Sequence, residues 1–115
     1  NKNGKIIIEV PHANDFLLKK SNLNEFKNFT LWSEHYILHT ATSLNKFLRI
    51  AGFKNIKIQY YQRYNIYNHI NWFTNKVPMG KIKSTFKESL LLIKNYDDFL
   101  IENKITDTLI ATCNA

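Results

Sequence analysis

The run Lys5–Val10, with the sequence Lys-Ile-Ile-Ile-Glu-Val, restricts the possible folds of this chain more than any other segment. Three consecutive isoleucines favour a β-strand covered on both faces, as in the parallel sheet of an α/β protein. Pro11 has no N–H to donate to a neighbouring strand, so we expect strand pairing to end there. A strand this apolar needs neighbours on both sides, and only Asn1–Gly4 precede it, so the chain is expected to be part of a longer one.

A helix is predicted over residues 43–53. Its apolar residues recur at the i, i+3, i+4, i+7 spacing of one helical face, at Leu44, Phe47, Leu48 and Ala51. We expect Thr42 to be the N-cap. Gly52 is expected in the left-handed conformation that ends many helices, with Phe53 folding back onto Leu48.

The rest of the chain predicts further strands and helices. Residues 56–61 alternate apolar and polar side chains, as a half-exposed strand does, and Thr108–Thr112 predicts a buried strand. One or two short helices are expected between residues 11 and 42, and another within 65–75. A long helix is expected over about 83–103, after the turn at Val77–Gly80. Its apolar stripe comprises Phe86, Leu90, Ile93, Leu100 and Ile101.

Length and charge narrow the class of protein. The 115 residues suffice for one modest domain. The 16 Lys+Arg and 9 Asp+Glu give a net charge of +7, which would permit an anionic partner. The lysines are scattered, however, whereas nucleic-acid grooves cluster their basic residues among stacking aromatics. A solvated surface is therefore favoured, and a basic interaction or nucleic-acid-binding module without catalytic activity stays the alternative.

Other sequence features bear on the cellular compartment. No run approaches the roughly 18 apolar residues of a membrane helix, and no secretory signal opens the sequence. Cys113 is the single cysteine, which excludes an internal disulfide and a Cys-based zinc site. We expect a cytoplasmic protein without a membrane partner.

The histidines raise the question of a metal. His35 and His39 are four residues apart, a spacing that places metal ligands on one helical face. Glu34 lies before both histidines instead of between them, so there is no His-Glu-x-x-His motif. Structural or pocket-lining histidines are therefore favoured, and we predict no metal site.

Glu9, within an apolar strand, is expected to have a partner such as Arg63.

Four segments of the chain carry a resemblance to a known family, and they are Gly4–Pro11, Glu34–Leu44, Leu48–Phe53 and Asp107–Cys113. Together they are similar to the C-terminal half of class I S-adenosylmethionine-dependent methyltransferases. Gly4–Pro11 looks like the fifth strand of that family. Glu34–Leu44 resembles the Glu-His segment before the following helix, and Leu48–Phe53 is similar to the Leu-x-x-Ala-Gly-Phe end of that helix. Asp107–Cys113 looks like the seventh strand, which in the family runs antiparallel between strands five and six.

The resemblance implies an α/β fold, the C-terminal part of a Rossmann-like sheet with strand order 5-7-6. Residues 1–115 would be a single partial domain, with Ile7 beside the strand that holds Ile110. The chain has no Gly-x-Gly motif, so the half of the family that binds the cofactor is expected to be absent. The parent enzyme would transfer a methyl group from S-adenosylmethionine to a small molecule, such as a sugar or a biosynthetic intermediate. The chain alone would be inactive and would bind that cofactor poorly.

The candidate catalytic residues follow from the same resemblance, since acceptor pockets of the family form at strand ends and before the Ala-Gly-Phe helix. They are His12, Glu34, His35 and His39. Histidine suits proton removal from an acceptor near neutral pH. The aromatic run Tyr60–Phe73 could stack on a planar or sugar acceptor, although a covering for the core is the favoured interpretation.

If the parent sheet is cut before Gly4, the strand that begins at Lys5 loses its neighbour. An Ile-rich strand without its partner presents an apolar edge that pairs with other chains. We expect self-association through Lys5–Val10.

Overall fold

The structure, a computed structural model, describes residues 4–80 and 87–115. Within those ranges the elements are β1 Lys5–Pro11, α1 Phe16–Lys19, α2 Asn24–Thr30, α3 Ala41–Ile50, β2 Lys54–Tyr61, α4 Ile66–Asn75, α5 Lys87–Glu102 and β3 Thr108–Asn114. The strands form one sheet in the order β1-β3-β2, and β3 runs antiparallel to both neighbours. Strands β1 and β2 are therefore parallel to each other, and their carboxyl ends lie at the same edge of the sheet.

The α/β class is confirmed, with a small three-stranded antiparallel sheet. Ile7 pairs with Thr112, so it lies beside the strand that holds Ile110, as expected. That these strands are numbers five, seven and six of a larger Rossmann-like sheet stays a prediction. Within the described ranges, no helix is both long and apolar enough to span a membrane.

Helix α3 covers one face of the sheet and forms what we call the α3 layer. Its buried members are Leu44, Leu48, Leu109 and Ala111. Apolar side chains of β1 and β2 pack around them, because the pleat points alternate residues of each strand toward α3. The layer contains only apolar residues at its centre, and it joins all three strands.

Local signals set both ends of α3. The helix begins after Thr40, not after Thr42, so the expected N-cap was wrong by two residues. Thr40 Oγ1 accepts from the N–H of Ser43 at 3.1 Å, and Ser43 Oγ accepts from the N–H of Thr40 at 2.9 Å, which forms a reciprocal capping box. Gly52 has a φ of +89°, and the N–H of Phe53 donates to the carbonyl of Leu48 at 3.0 Å, as predicted.

The expectation that β1 is covered on both faces was wrong. Residues 5–10 alternate between exposed and half-buried, and Ile7 is 68% exposed. The reason is that α3 packs on the face that holds Ile8 and Val10, and Ile7 points to the opposite face. Strand β1 is also an edge strand of the described sheet, with β3 as its neighbour.

A second cluster lies beyond the end of the sheet, where α1, α2 and α4 meet. Leu17, Phe26 and Trp72 are its buried members, and we call it the aromatic cluster. The short helices predicted between residues 11 and 42 and within 65–75 are confirmed as α1, α2 and α4.

Helix α5 is confirmed, although the predicted start at residue 83 and Phe86 lie outside the described residues. Its predicted apolar stripe is buried only near the C-terminal end, where Leu100 is fully buried. Leu90 is 51% exposed and Leu91 is 59% exposed, so the apolar residues of that half of the helix lie largely at the surface of the described part of the chain.

Candidate functional site

A cleft of about 820 Å³ opens at the edge of the sheet where β1 and β2 both end. Open α/β sheets place ligands at such carboxyl-end edges. Its polar lining consists of Glu9, His12, Asp15, Asn28, Thr30, His35, Arg63, Asn68, His69, Asp107 and Thr108. Its aromatic lining consists of Phe26, Phe29, Trp32, Tyr64 and Trp72. Both the volume and this mixture are typical of small-molecule sites.

His12 directly follows β1 and is 2% exposed. Its Nδ1 lies 2.9 Å from the carbonyl oxygen of Thr106, which can only accept, so Nδ1 must carry a proton and donate it. Burial lowers the pKa of His12 below its ordinary value of 6.5, and the Thr106 hydrogen bond offsets this in part. The neutral ring therefore has its lone pair on Nε2, and the described residues show no hydrogen bond to that nitrogen.

The structure brings two of the four predicted catalytic residues to the cleft. His12 lies on its floor, and His35 lies on the loop after α2, with Nδ1 2.9 Å from the carbonyl of Thr30. Glu34 is exposed and does not line the cleft. His39 also lies outside the lining, and its Nδ1 is 3.2 Å from Ser43 Oγ at the start of α3.

Asp107 ties the ends of β2 and β3 together. Its carboxylate accepts from the N–H of Arg63 at 2.8 Å, the N–H of Tyr64 at 3.0 Å and Gln62 Nε2 at 3.0 Å. Gln62 completes the link, because its Oε1 accepts from the N–H of Asp107 at 3.0 Å. Burial raises the pKa of Asp107, and the N–H groups of Arg63 and Tyr64 oppose that effect.

Asp15 is a second buried carboxyl on the cleft floor, 5% exposed. Its Oδ1 accepts from the N–H of Leu17 at 2.6 Å and so caps α1. Burial, with the charge of Asp107 adding to it, raises the pKa of Asp15 to about 7. Burial likewise raises the pKa of Asp97, on α5, to about 6, and the charges of Asp107 and Asp98 contribute. These three carboxyl groups thus lie in one region where burial disfavours their negatively charged forms.

His69 borders the same region from α4. Its Nδ1 lies 2.8 Å from the hydroxyl of Tyr96, and its Nε2 lies 3.4 Å from Gln62 Nε2. Burial lowers the pKa of His69 to about 4, so the ring is neutral at pH 7. Burial, together with the charges of Asp15 and Asp97, raises the pKa of Tyr96 to about 12.

The wall of the cleft consists of aromatic rings. Trp72 is 2% exposed and meets Phe26 edge to face at 5.0 Å between ring centroids, with Phe29 at 5.2 Å on another side. Phe29 and Trp32 are about half exposed, at 54% and 49%, so their surfaces are open to a ligand. At the rim, Arg63 Nη1 pairs with Glu9, as predicted from the sequence.

The described residues contain no group of three or more His, Cys, Asp or Glu side chains arranged to hold a metal. They also do not fit S-adenosylmethionine. A carboxylate for ribose hydroxyls is expected in such a site, but Asp107 and Asp15 bind backbone N–H groups and Glu9 pairs with Arg63. Gly52 and Gly80 have positive φ, and a Cβ added at either would meet nothing within 4 Å, so neither is needed for a close approach of other described atoms.

Sequence reasoning missed Asp15, His69 and Asp107 as parts of the site. His69 and Asp107 make hydrogen bonds to residues far away in the chain, and such contacts leave no local pattern. A signal existed for Asp15, since it precedes the apolar run Phe16–Leu18, as an N-cap residue does. Cys113 is a buried free thiol, as predicted.

Comparisons with known proteins add one distant likeness. No protein-family model matches the chain, and no curated protein matches it. A solved structure described as a SAM dependent methyltransferase from Archaeoglobus fulgidus is 16% identical, with a TM-score of 0.47. The match covers 100% of this chain and 46% of that one, so this chain spans a little under half its length. A likeness this distant does not establish a shared activity.

Proposed function

We propose that this chain is the acceptor-binding part of an S-adenosylmethionine-dependent methyltransferase that acts on a small molecule. The observation that carries the proposal is the cleft at the shared ends of β1 and β2, with the unpartnered Nε2 of His12 on its floor. The sequence resemblance and the antiparallel last strand between β1 and β2 support it as well. A sugar or a biosynthetic intermediate was the acceptor expected from the sequence.

His12 is the proposed general base. Its Nδ1–H is fixed by the Thr106 carbonyl, which orients the ring and leaves Nε2 free to take a proton from an acceptor. The lowered pKa keeps this nitrogen unprotonated at neutral pH. His35 lies nearer the mouth of the cleft, where it contacts Trp32, and we assign it to acceptor positioning.

The methyl donor is assigned to residues outside those described, because the described residues do not form a site for it. We accordingly propose that the chain is a partial domain. It follows that the 115-residue chain alone neither binds S-adenosylmethionine tightly nor transfers a methyl group.

Two measurements test the proposal. Calorimetric titration of the 115-residue chain with S-adenosylmethionine should show no micromolar binding, and such binding would contradict the assignment. The genomic sequence immediately upstream should encode, in frame, a strand followed by a Gly-rich loop. The longer protein should then transfer a tritiated methyl group from S-adenosylmethionine to a small-molecule acceptor.

A pair of variants locates that activity in the cleft. His12→Gln should lower kcat of the longer protein about a hundredfold or more, which is the usual effect of losing a general base. Lys57→Gln, at an exposed position on β2, is the matched control and should leave kcat unchanged. Equal kcat values for the two variants would show that His12 is not the general base.

The alternative, a basic interaction or nucleic-acid-binding module without catalytic activity, is less favoured, because three cationic side chains of the described residues are already paired. Arg63, Lys76 and Lys94 pair with carboxylates of Glu9, Glu25 and Asp98. Gel-shift titration at low and moderate salt tests it, since phosphate binding weakens steeply with salt.

We also propose a cytoplasmic location and self-association through the edge of β1 with which no described strand pairs. The edge strand has Ile7 exposed on one face, and such edges pair with other chains. Light scattering over a wide concentration range should show a mass that rises with concentration. Ile7→Lys should keep the chain monomeric, and a monomer at all concentrations without that change would contradict the proposal.

A further inference from the structure

We infer that the cleft binds an uncharged, planar aromatic compound that carries a hydroxyl group, and that this hydroxyl donates to Nε2 of His12. The inference rests on the proposed function, because such a compound would be the methyl acceptor. Three features of the cleft support this ligand class: the charge of its floor, the hydrogen bonds already made there, and the aromatic rings of its wall.

The floor of the cleft does not favour a charged ligand. Among the described residues that line the cleft, the cationic side chain is Arg63, and its guanidinium is paired with Glu9 at the rim. Burial keeps His69 and His12 neutral at pH 7, so neither ring offers a positive charge to an anion. Asp15 Oδ1 and both carboxylate oxygens of Asp107 already accept backbone N–H groups, which leaves few free carboxylate lone pairs for a cationic ligand.

The floor is also a poor site for a sugar. Each hydroxyl that a sugar buries needs a hydrogen-bond partner. Asp107 already accepts three N–H groups, Asp15 Oδ1 holds the N–H of Leu17, and Asn68 Oδ1 holds the N–H of Met79 at 3.0 Å. Both ring nitrogens of His69 face partners. A ligand with a single hydroxyl needs only one acceptor, and His12 Nε2 supplies it.

The wall suits a flat ring. Phe29 and Trp32 leave about half of their surfaces exposed beside the buried Trp72, and aromatic rings pair favourably in stacked or edge-to-face geometry. The volume of about 820 Å³ admits a fused two-ring compound with space remaining for a second reactant. Three independent features of the cleft thus select the same class of ligand.

NMR titration of the 15N-labelled 115-residue chain tests the inference without a methyl donor. The probes are 2-naphthol, naphthalene, 2-naphthoate and methyl β-glucopyranoside, each added to wild type and to His12→Gln. We expect 2-naphthol to bind most tightly and to shift the signals of the cleft residues. The glucoside should cause no shifts at millimolar concentration, and 2-naphthoate should bind at least about tenfold more weakly than 2-naphthol.

The variants locate the hydroxyl. His12→Gln should weaken 2-naphthol binding about five- to tenfold, the usual effect of one hydrogen bond, and leave naphthalene binding unchanged. His35→Gln should have a smaller effect on 2-naphthol. Phe29→Ala should weaken both ring compounds, and Phe47→Ala, an exposed ring on α3 outside the cleft, is its control. Amide spectra of each variant verify that it is folded.

Several outcomes would overturn the inference. These are glucoside binding tighter than naphthol binding, equal weakening of naphthalene and naphthol by His12→Gln, or no binding by any ring compound. The result is separable from the proposed function. If 2-naphthol binds as described and the longer protein transfers no methyl group, the ligand class stands and the methyltransferase proposal fails.

Discussion

The α3 layer buries apolar side chains, whereas the floor of the cleft buries polar and titratable ones, although both contact the same sheet. The α3 layer buries Leu44, Leu48, Leu109 and Ala111, with no titratable group among its buried members. The cleft floor buries carboxyl and imidazole groups whose pKa values are displaced by burial, including those of Asp15 and His69. Burial of polar groups costs free energy unless they are satisfied. The comparison indicates that stability is concentrated at α3 and ligand chemistry at the strand ends.

The largest expected effect concerns the pH dependence of the cleft floor. The pKa of Asp15 is about 7 in the folded chain against an ordinary value of 3.8, so the folded state holds an extra proton between those pH values. The stability contributed by protonated Asp15 is therefore present near pH 4 and is lost as the pH rises to about 7. Asp15→Asn keeps the helix cap but cannot ionise.

The free energy of unfolding of Asp15→Asn, relative to wild type, should accordingly rise between pH 4 and 8 by up to about 4 kcal/mol. Urea unfolding at several pH values measures this difference. His69 has the opposite dependence, since its lowered pKa makes the folded state gain stability as pH rises from about 4 to 6.5. Comparison with wild type cancels that contribution. A difference that does not change with pH would mean that Asp15 is ionised throughout.

The α3 layer should respond to loss of volume instead of to pH. Leu109 is fully buried, so Leu109→Ala should lower the free energy of unfolding by about 3 kcal/mol, through lost burial and a residual cavity. Urea unfolding should show the same loss at pH 5 and pH 8. Ile7→Ala, at a 68% exposed position on the same sheet, should change stability by less than about 0.5 kcal/mol. A loss of unfolding free energy in Leu109→Ala that depends strongly on pH would contradict the distinction between the two regions.

A smaller effect is expected at the start of α3. Thr40→Ala removes the hydroxyl that accepts from the N–H of Ser43 and should lower stability by about 1 kcal/mol. Thr42→Ala lies inside the first turn, is exposed, and should have little effect. Thermal unfolding of the pair decides which threonine is the cap. Equal losses would contradict the capping box.

The smallest expected effect is at the rim of the cleft. The side chains of Arg63 and Glu9 are 42% and 43% exposed, and ion pairs this exposed contribute less than about 1 kcal/mol. Glu9→Gln should therefore change stability only slightly, and less still at high salt. A loss above 2 kcal/mol that persists in high salt would show that this pair belongs with the floor instead.

Local signals explain how much of the fold could be predicted. The end of α3 at Gly52 and the pleat of β2 depend on neighbouring residues, and both were predicted correctly. The covering of Ile7 and the burial of Leu90 depend on what packs against them, which the sequence pattern does not specify. For the same reason His12 was predicted from its place after a strand, while Asp107 depends on Gln62, Arg63 and Tyr64 more than 40 residues away.

The account depends most on the state of His12, and 15N NMR of its imidazole tests that state directly. Because Nδ1 must donate to the Thr106 carbonyl, the ring at pH 7 should be neutral, with the proton on Nδ1 and an unprotonated Nε2. Its pKa should lie below the ordinary value of 6.5, and the Nε2 signal should shift when 2-naphthol is added. A proton on Nε2, or an imidazolium at pH 7, would contradict the account.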